Sequence, residues 1–289
     1  MRICLTGANG LLGSAIKEAC TLRNWTCKIV SRDAVNFRNP QSIEIILEEC
    51  DVMIHAAANT NVEGCEIDPH SCYRDNTLMT EIIAEAAARR GVQLVYISST
   101  GVYGDAKDQP YHEYDLTRPT THHHMSKRLG EKATLKFRDS LVIRTGWLFG
   151  GSYLNSKNFV ARRIEEAALS DGVIYSNSEQ RGNPTYIKDL AQYLFRLIED
   201  GQHGIFNCVN KGVASRMEYV AKIVESTGFL VDVRPSTASS FNRLAKVSNN
   251  EMAINLKLLQ CGYEELPDWK ESLTRYISEE LKDFVKKLG

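Results

Sequence analysis

Apolar residues fall in short runs along the first half of the chain: Arg2 to Thr6, Thr26 to Ser31, Val52 to His55, Gln93 to Ser98 and Ser140 to Arg144. Each run has the length of a strand, and stretches of helical composition stand between them. Those are Ser42 to Glu49 and Asn76 to Arg90, the second with Ile82, Ile83, Ala86 and Ala87 as its apolar stripe. Strand alternating with helix predicts a parallel sheet joined by right-handed crossovers, with helices on both faces. After Gly150 the pattern loosens. It predicts helices at Phe159 to Ser170, Ile187 to Glu199, Ser215 to Gly228 and Trp269 to Lys287, and short strands at Ile205 to Val209 and Leu230 to Arg234. The expected architecture is α/β: a doubly wound parallel sheet over residues 1–150, to which 187–209 returns, and a smaller C-terminal substrate-binding lobe mainly in 151–289. No repeat or Pro-rich linker divides the chain, so the two parts are expected to share an interface.

The first strand runs into Gly7-Ala8-Asn9-Gly10-Leu11-Leu12-Gly13 and then a helical stretch to Leu22. In this G-x-x-G-x-x-G spacing one glycine permits the tight turn, another lets the backbone approach a pyrophosphate, and the last packs helix on strand. The helix N-terminus adds unpaired N–H groups and a favourable dipole. A tight turn without a ligand is the plainer alternative. The strand-turn-helix setting favours a Rossmann-type dinucleotide site made by Gly7, Asn9, Gly10, Leu11, Leu12 and Gly13. The second strand ends Val30-Ser31-Arg32-Asp33. A cation there suits the 2′-phosphate of NADP and an acid suits the 2′-hydroxyl of NAD, so Arg32 points to NADP while Asp33 keeps NAD as the alternative.

Composition narrows the partners. With 35 Lys plus Arg against 36 Asp plus Glu, the net charge is −1, which argues against nucleic acid or an acidic membrane surface and for a small molecule. No apolar run approaches the roughly 20 residues that cross a bilayer. The chain reaches Gly7 without room for a secretory signal, so a cytoplasmic location is expected. The eight Cys are scattered and form no C-x-x-C, which reads as reduced core thiols. Whether the chain forms a homodimer is left open.

The fourth strand runs into Ser98-Ser99-Thr100-Gly101-Val102-Tyr103-Gly104, and Ser126-Lys127 and Glu131 follow. This series resembles the extended short-chain dehydrogenase/reductase family. Arg144-Thr145-Gly146-Trp147-Leu148-Phe149-Gly150, Gln180 to Tyr186, and Ala56-Ala57-Ala58-Asn59-Thr60 with Val62 and Glu63 resemble its dTDP-4-dehydrorhamnose reductase group. The resemblance spans nearly the whole chain. It implies hydride transfer from a nicotinamide to the C4 carbonyl of a nucleotide-linked 4-keto-6-deoxy sugar. It also implies a Ser/Thr that polarises the carbonyl, a Tyr that protonates the alkoxide, and a Lys four residues later that lowers the phenol pKa and holds the ribose. Ser99 and Lys127 match two of these positions. Ala56, Ala57, Ala58 and Lys127 align with cofactor contacts, and Thr60, Val62, Thr100, Trp147 and Asn183 with the sugar pocket. The stretch Arg243 to Asn250, which corresponds to the group's late Arg-Pro segment, lacks that pair, and Lys246 within it is the candidate for a diphosphate.

His123 stands where the group has its Tyr. Three readings remain open: imidazolium is the acid, a tyrosine such as Tyr103, Tyr111 or Tyr114 supplies the proton, or the fold binds its ligands without reducing anything. The neighbouring Lys127 disfavours imidazolium. His122, His123 and His124 point to different faces of one helix, so no metal site is expected. His55 is expected to cap the sheet through a hydrogen bond. Besides the reductase, a non-catalytic dinucleotide-binding regulatory subunit and a nucleotide-sugar epimerase or dehydratase remain as alternatives.

Overall fold

The computed structural model describes residues 1–31, 34, 39, 41–237 and 243–289. Arg32 and Asp33, on which the choice between NADP and NAD rested, lie outside the described residues. The central sheet contains β1 (Arg2–Thr6), β2 (Thr26–Val30), β3 (Val52–His55), β4 (Gln93–Ser99), β5 (Leu141–Thr145) and β10 (Gly204–Asn207). Its spatial order is β10-β5-β4-β3-β1-β2, and every pair is parallel. The order reverses beside β1, so the carboxyl ends of β1 and β3 open the crevice where such sheets bind ligands. Strands β3 and β5 are buried at every position, as a sheet covered on both faces requires.

One face packs on α1 (Leu11–Leu22) and α8 (Ile187–Glu199), in a core that includes Leu5, Ile16, Ile54, Ile143, Leu190 and Leu194. The other carries α2 (Ser42–Leu47) and α5 (Met79–Arg90) over Cys4, Met53, Ile83 and Leu94. Helix α6 (His122–Thr134) lies along β4. Later elements are smaller. They comprise β6 (Leu148–Phe149) with β9 (Thr185–Tyr186), α7 (Phe159–Leu169), β7 (Val173–Asn177) with β12 (Asp232–Ser236), β8 (Arg181–Gly182) with β11 (Ala214–Ser215), and α9 (Arg216–Thr227). A satellite core of Ala167, Ile174, Val220 and Val224 holds α7 and α9 to β7. No helix among the described residues is long and apolar enough to cross a membrane.

Three expectations need correction. The helix expected from Asn76 begins as a π-helical turn at Arg74–Leu78, because the Asn76 side chain turns into a buried hydrogen-bond network. Two short helices before it, α3 (Val62–Ile67) and α4 (Pro69–Tyr73), were not anticipated. Their caps were nonetheless written: Asn61 accepts from Gly64 N–H, and Asp68 precedes Pro69 and accepts from Ser71 N–H. Trp269 to Lys287 is two helices, α11 (Trp269–Glu280) and α12 (Lys282–Leu288), which part at Leu281 so that Leu281 and Phe284 both reach the core. Between α9 and α11, α10 (Leu256–Gln260) packs on the β10 edge.

Candidate active site

The glycine turn is built as its spacing implies. Gly7 has φ +73°, and a Cβ there would sit 2.7 Å from the backbone of Ala56 and Ala57. A Cβ on Gly13 would overlap the Gly7 carbonyl oxygen. Gly10 is the N-cap of α1, and no side chain caps that helix, so its first N–H groups are free for an anion. The turn borders a cleft of about 310 Å³ lined by Thr6, Gly7, Asn9, Gly10, Val30, Ser31, Ala57, Ala58 and Asn59, among others. The floor is pinned by His55, which is fully buried between Thr6 Oγ1 at 2.7 Å and Thr80 Oγ1 at 3.1 Å. Thr6 Oγ1 in turn accepts from Ala57 N–H, which ties the ends of β1 and β3 together. Burial, with Lys127 nearby, holds His55 down at about 3.

Helix α6 carries His123 and Lys127 one turn apart and packs on β4, which ends at Ser99. A buried ion pair fixes this register: Arg144 on β5 donates to both Glu131 oxygens, at 2.8 and 2.7 Å, and Ser98 donates to Glu131 at 2.6 Å. At the other end Thr121 caps the helix and Glu66 accepts from His122 N–H at 2.7 Å. Ser99 Oγ accepts from Gly101 N–H, which leaves its own hydrogen to donate. Lys127 is buried, its Nζ 4.1 Å from the Tyr96 ring centroid, and it has no salt bridge among the described residues. Burial lowers its pKa to about 7, with Glu131 and Cys72 opposing.

His123 Nδ1 lies 2.9 Å from the Asn59 carbonyl, which can only accept, so Nδ1 carries a hydrogen. Burial, followed by the charges of His124 and Lys127, holds the ring near 3, as the sequence expectation about Lys127 anticipated in direction. A neutral ring with hydrogen on Nδ1 presents Nε2 as an acceptor. The three candidate tyrosines all spend their hydroxyls elsewhere: Tyr103 donates to Asn207, Tyr111 to the Gly104 carbonyl and Tyr114 to Gln260. Beside His123, His124 fills space that only Gly101 leaves open, since a Cβ on Gly101 would overlap the imidazole.

A second, larger cleft of about 850 Å³ is lined by Phe159, Tyr175, Arg163, Arg216, Arg243, Lys246 and Glu63, among others. Four cations against one carboxylate, with two aromatic rings, suit a nucleoside diphosphate: the rings face a base and the cations the phosphates. Arg216 stacks 3.5 Å over the Trp147 ring, and burial brings its pKa down to about 10. Trp147 holds a left-handed backbone, φ +47°, at the bend between β5 and β6, and donates to buried Glu251 at 2.7 Å. Glu63 ties down the opposite wall by accepting from Arg243 and from the N–H groups of Leu244 and Ala245.

Several expected pocket residues stand apart from these clefts. Asn183 is buried and spends its amide on the backbone of Gly212 and Ala253. Thr100 is buried against Gly146. Thr60 accepts from Lys157 at 2.8 Å on the surface, and Val62 opens α3 half-buried. Lys246 does line the larger cleft. Sequence reading missed Arg216, Arg163 and Glu251. The one local signal was the capping box Ser215-x-x-Glu218, which marks the start of α9 and so the place of Arg216.

Comparisons with known proteins agree on one family. A model described as RmlD substrate binding domain matches residues 1–282. The dTDP-4-dehydrorhamnose reductase of Mycobacterium tuberculosis is 31% identical over 286 residues, covering 96% of this chain and 92% of its own. Among solved structures, a dTDP-4-dehydrorhamnose reductase from Clostridium acetobutylicum superposes with a TM-score of 0.90 at 29% identity, covering 96% of this chain and 99% of its own. One from Bacillus anthracis, solved in complex with NADP, gives 0.90 at 27% identity with the same coverage.

Proposed function

This chain belongs to the RmlD substrate binding domain family, and from that membership and the two clefts we propose that it is an NADPH-dependent reductase of a nucleotide-linked 4-keto-6-deoxy sugar. The observation that carries the reading is the segment 57–63. It lines the smaller cleft with Ala57, Ala58 and Asn59 and the larger with Glu63, so a dinucleotide and an anionic sugar nucleotide meet at one wall. The residues fit the cofactor. The turn has no room for a Cβ at Gly7 or Gly13, α1 has no side-chain cap, and buried Lys127 forms no salt bridge among the described residues.

When bound, NADPH supplies the hydride to C4. Ser99 donates its hydroxyl hydrogen to the carbonyl oxygen and draws the carbonyl into line. Lys127 stabilises the oxygen as it becomes an alkoxide and, with a pKa near neutrality, is matched to giving up a proton at neutral pH. His123 accepts a hydrogen bond through Nε2 and orients the sugar. That assigns the proton to Lys127 and leaves His123 as a contact residue, on the support of its Nδ1–H bond to Asn59. Arg216, Arg163 and Lys246 hold the diphosphate.

The test is NADPH oxidation with nucleotide-linked 4-keto-6-deoxy sugars. Turnover is expected, and Lys127→Met loses at least about 100-fold in kcat, while His123→Gln keeps most of kcat and raises KM. NADPH binding with no oxidation across such substrates would replace this reading with a non-catalytic binding subunit.

A further inference from the structure

The wall behind His123 contains two thiols that the reduction does not use. Cys65 on α3 and Cys72 on α4 are fully buried, and their Sγ atoms and an imidazole nitrogen of His123 all lie within 4.8 Å of one another. The three side chains come from three different helices. Two soft sulfurs and an imidazole form a donor set that selects a thiophilic cation such as zinc over magnesium or calcium. We propose that Cys65, Cys72 and His123 form a zinc site in the wall of the cofactor cleft.

The distances allow it. With Zn–S near 2.3 Å and Zn–N near 2.05 Å, neighbouring donors of a tetrahedral ion are about 3.5–3.8 Å apart, so the three atoms need to close by roughly 1 Å. Electrostatics allow it too. Both thiols release their protons to solvent, and Zn²⁺ with two thiolates and a neutral imidazole carries no net charge, so the centre avoids the cost of a buried ion.

The surroundings are already ordered for ligation. Asn76 Nδ2 donates to Ser126 Oγ at 2.9 Å and to Cys72 Sγ at 3.6 Å, and Ser126 Oγ donates to the His123 carbonyl at 2.7 Å. Polar support of this kind around ligands orients them. The Asn59 carbonyl, 3.9 Å from Cys65 Sγ and 2.9 Å from His123 Nδ1, joins the cluster to the cleft, because Asn59 also lines the dinucleotide side. Zinc would lock α3, α4 and α6 together behind that wall. The His123 ring has a single lone pair, so zinc ligation takes the one that the proposed reduction turns to the sugar, and the zinc-bound and sugar-accepting states of His123 exclude each other.

Full-length protein without a histidine tag is titrated with Zn²⁺ against a chromophoric chelator, and separately with Co²⁺. One zinc per chain is expected, and cobalt should show intense tetrahedral d–d bands with a thiolate charge-transfer band. Cys65→Ser, Cys72→Ser and His123→Ala should each weaken zinc by at least about tenfold, the lower end of what loss of even a supporting partner costs. His123→Cys should restore binding, and Cys261→Ser, at an exposed thiol, should change nothing. Should a variant fail to fold, the cobalt spectrum of the native chain decides alone. A weak octahedral spectrum without charge transfer, or undiminished zinc binding in the Cys65→Ser, Cys72→Ser double variant, overturns the proposal.

Discussion

The two clefts are built on different principles. The smaller is made mostly of backbone: a glycine turn, an uncapped helix N-terminus, and the ends of β2 and β3. The larger is made of side chains sent by α3, α7, β7, α9 and the 243–249 segment, which lie far apart in the chain. A backbone site tolerates changes in most side chains but not an added Cβ. A side-chain site can lose one cation and keep its shape. That difference explains why the first was readable as a spacing and the second was not.

Substitutions should separate the two. The largest effect belongs to the buried Arg144–Glu131 pair that fixes α6 on the sheet. Arg144→Leu strands a buried carboxylate and should cost about 3–5 kcal/mol in urea unfolding, while weakening NADPH and sugar nucleotide together. Loss of only one affinity would show that α6 serves one cleft. Gly13→Ala comes next, since the new Cβ meets backbone that cannot yield. About 3 kcal/mol is expected, and calorimetry should show NADPH binding impaired with nucleoside diphosphate binding retained.

Acid should loosen the cofactor side through His55. Its native pKa is about 3 against an ordinary histidine value of 6.5, so between those values the unfolded chain takes a proton that the native chain refuses. Stability therefore falls as pH drops through 6.5 toward 3, with His55 alone contributing about 2 kcal/mol between pH 7 and 5. His55→Asn should show a shallower loss in denaturant midpoints across that range. The smallest effect is on the larger cleft: Arg216→Leu should weaken nucleoside diphosphate about tenfold, or ~1.4 kcal/mol, and leave NADPH unchanged. Equal loss of both ligands would mean that Arg216 acts through folding.

How far each part was legible follows from how local its cause is. Strands β1 and β3 and helix α8 begin and end where the apolar pattern places them, because periodicity reports burial on a regular element. The glycine turn was readable from its spacing within one motif, whereas Ser99 and Lys127 were assigned by resemblance to a family. Asn183 and Thr100 were aligned with a pocket but are spent on packing, since alignment gives a residue's place on an element and not the neighbours competing for its polar atoms.

His123 shows the limit. Along the helix it had two histidine neighbours that face elsewhere, which argued against a metal site. In the fold it meets Cys65 and Cys72 instead. The sequence by itself determined the α/β order and the glycine turn, because hydrogen-bond geometry and helical pitch act over a few residues. Tertiary structure alone decided the tautomer of His123, the cation-lined cleft and the thiols behind it, because desolvation and ligand distance depend on segments that meet only when the sheet and its crossovers have closed.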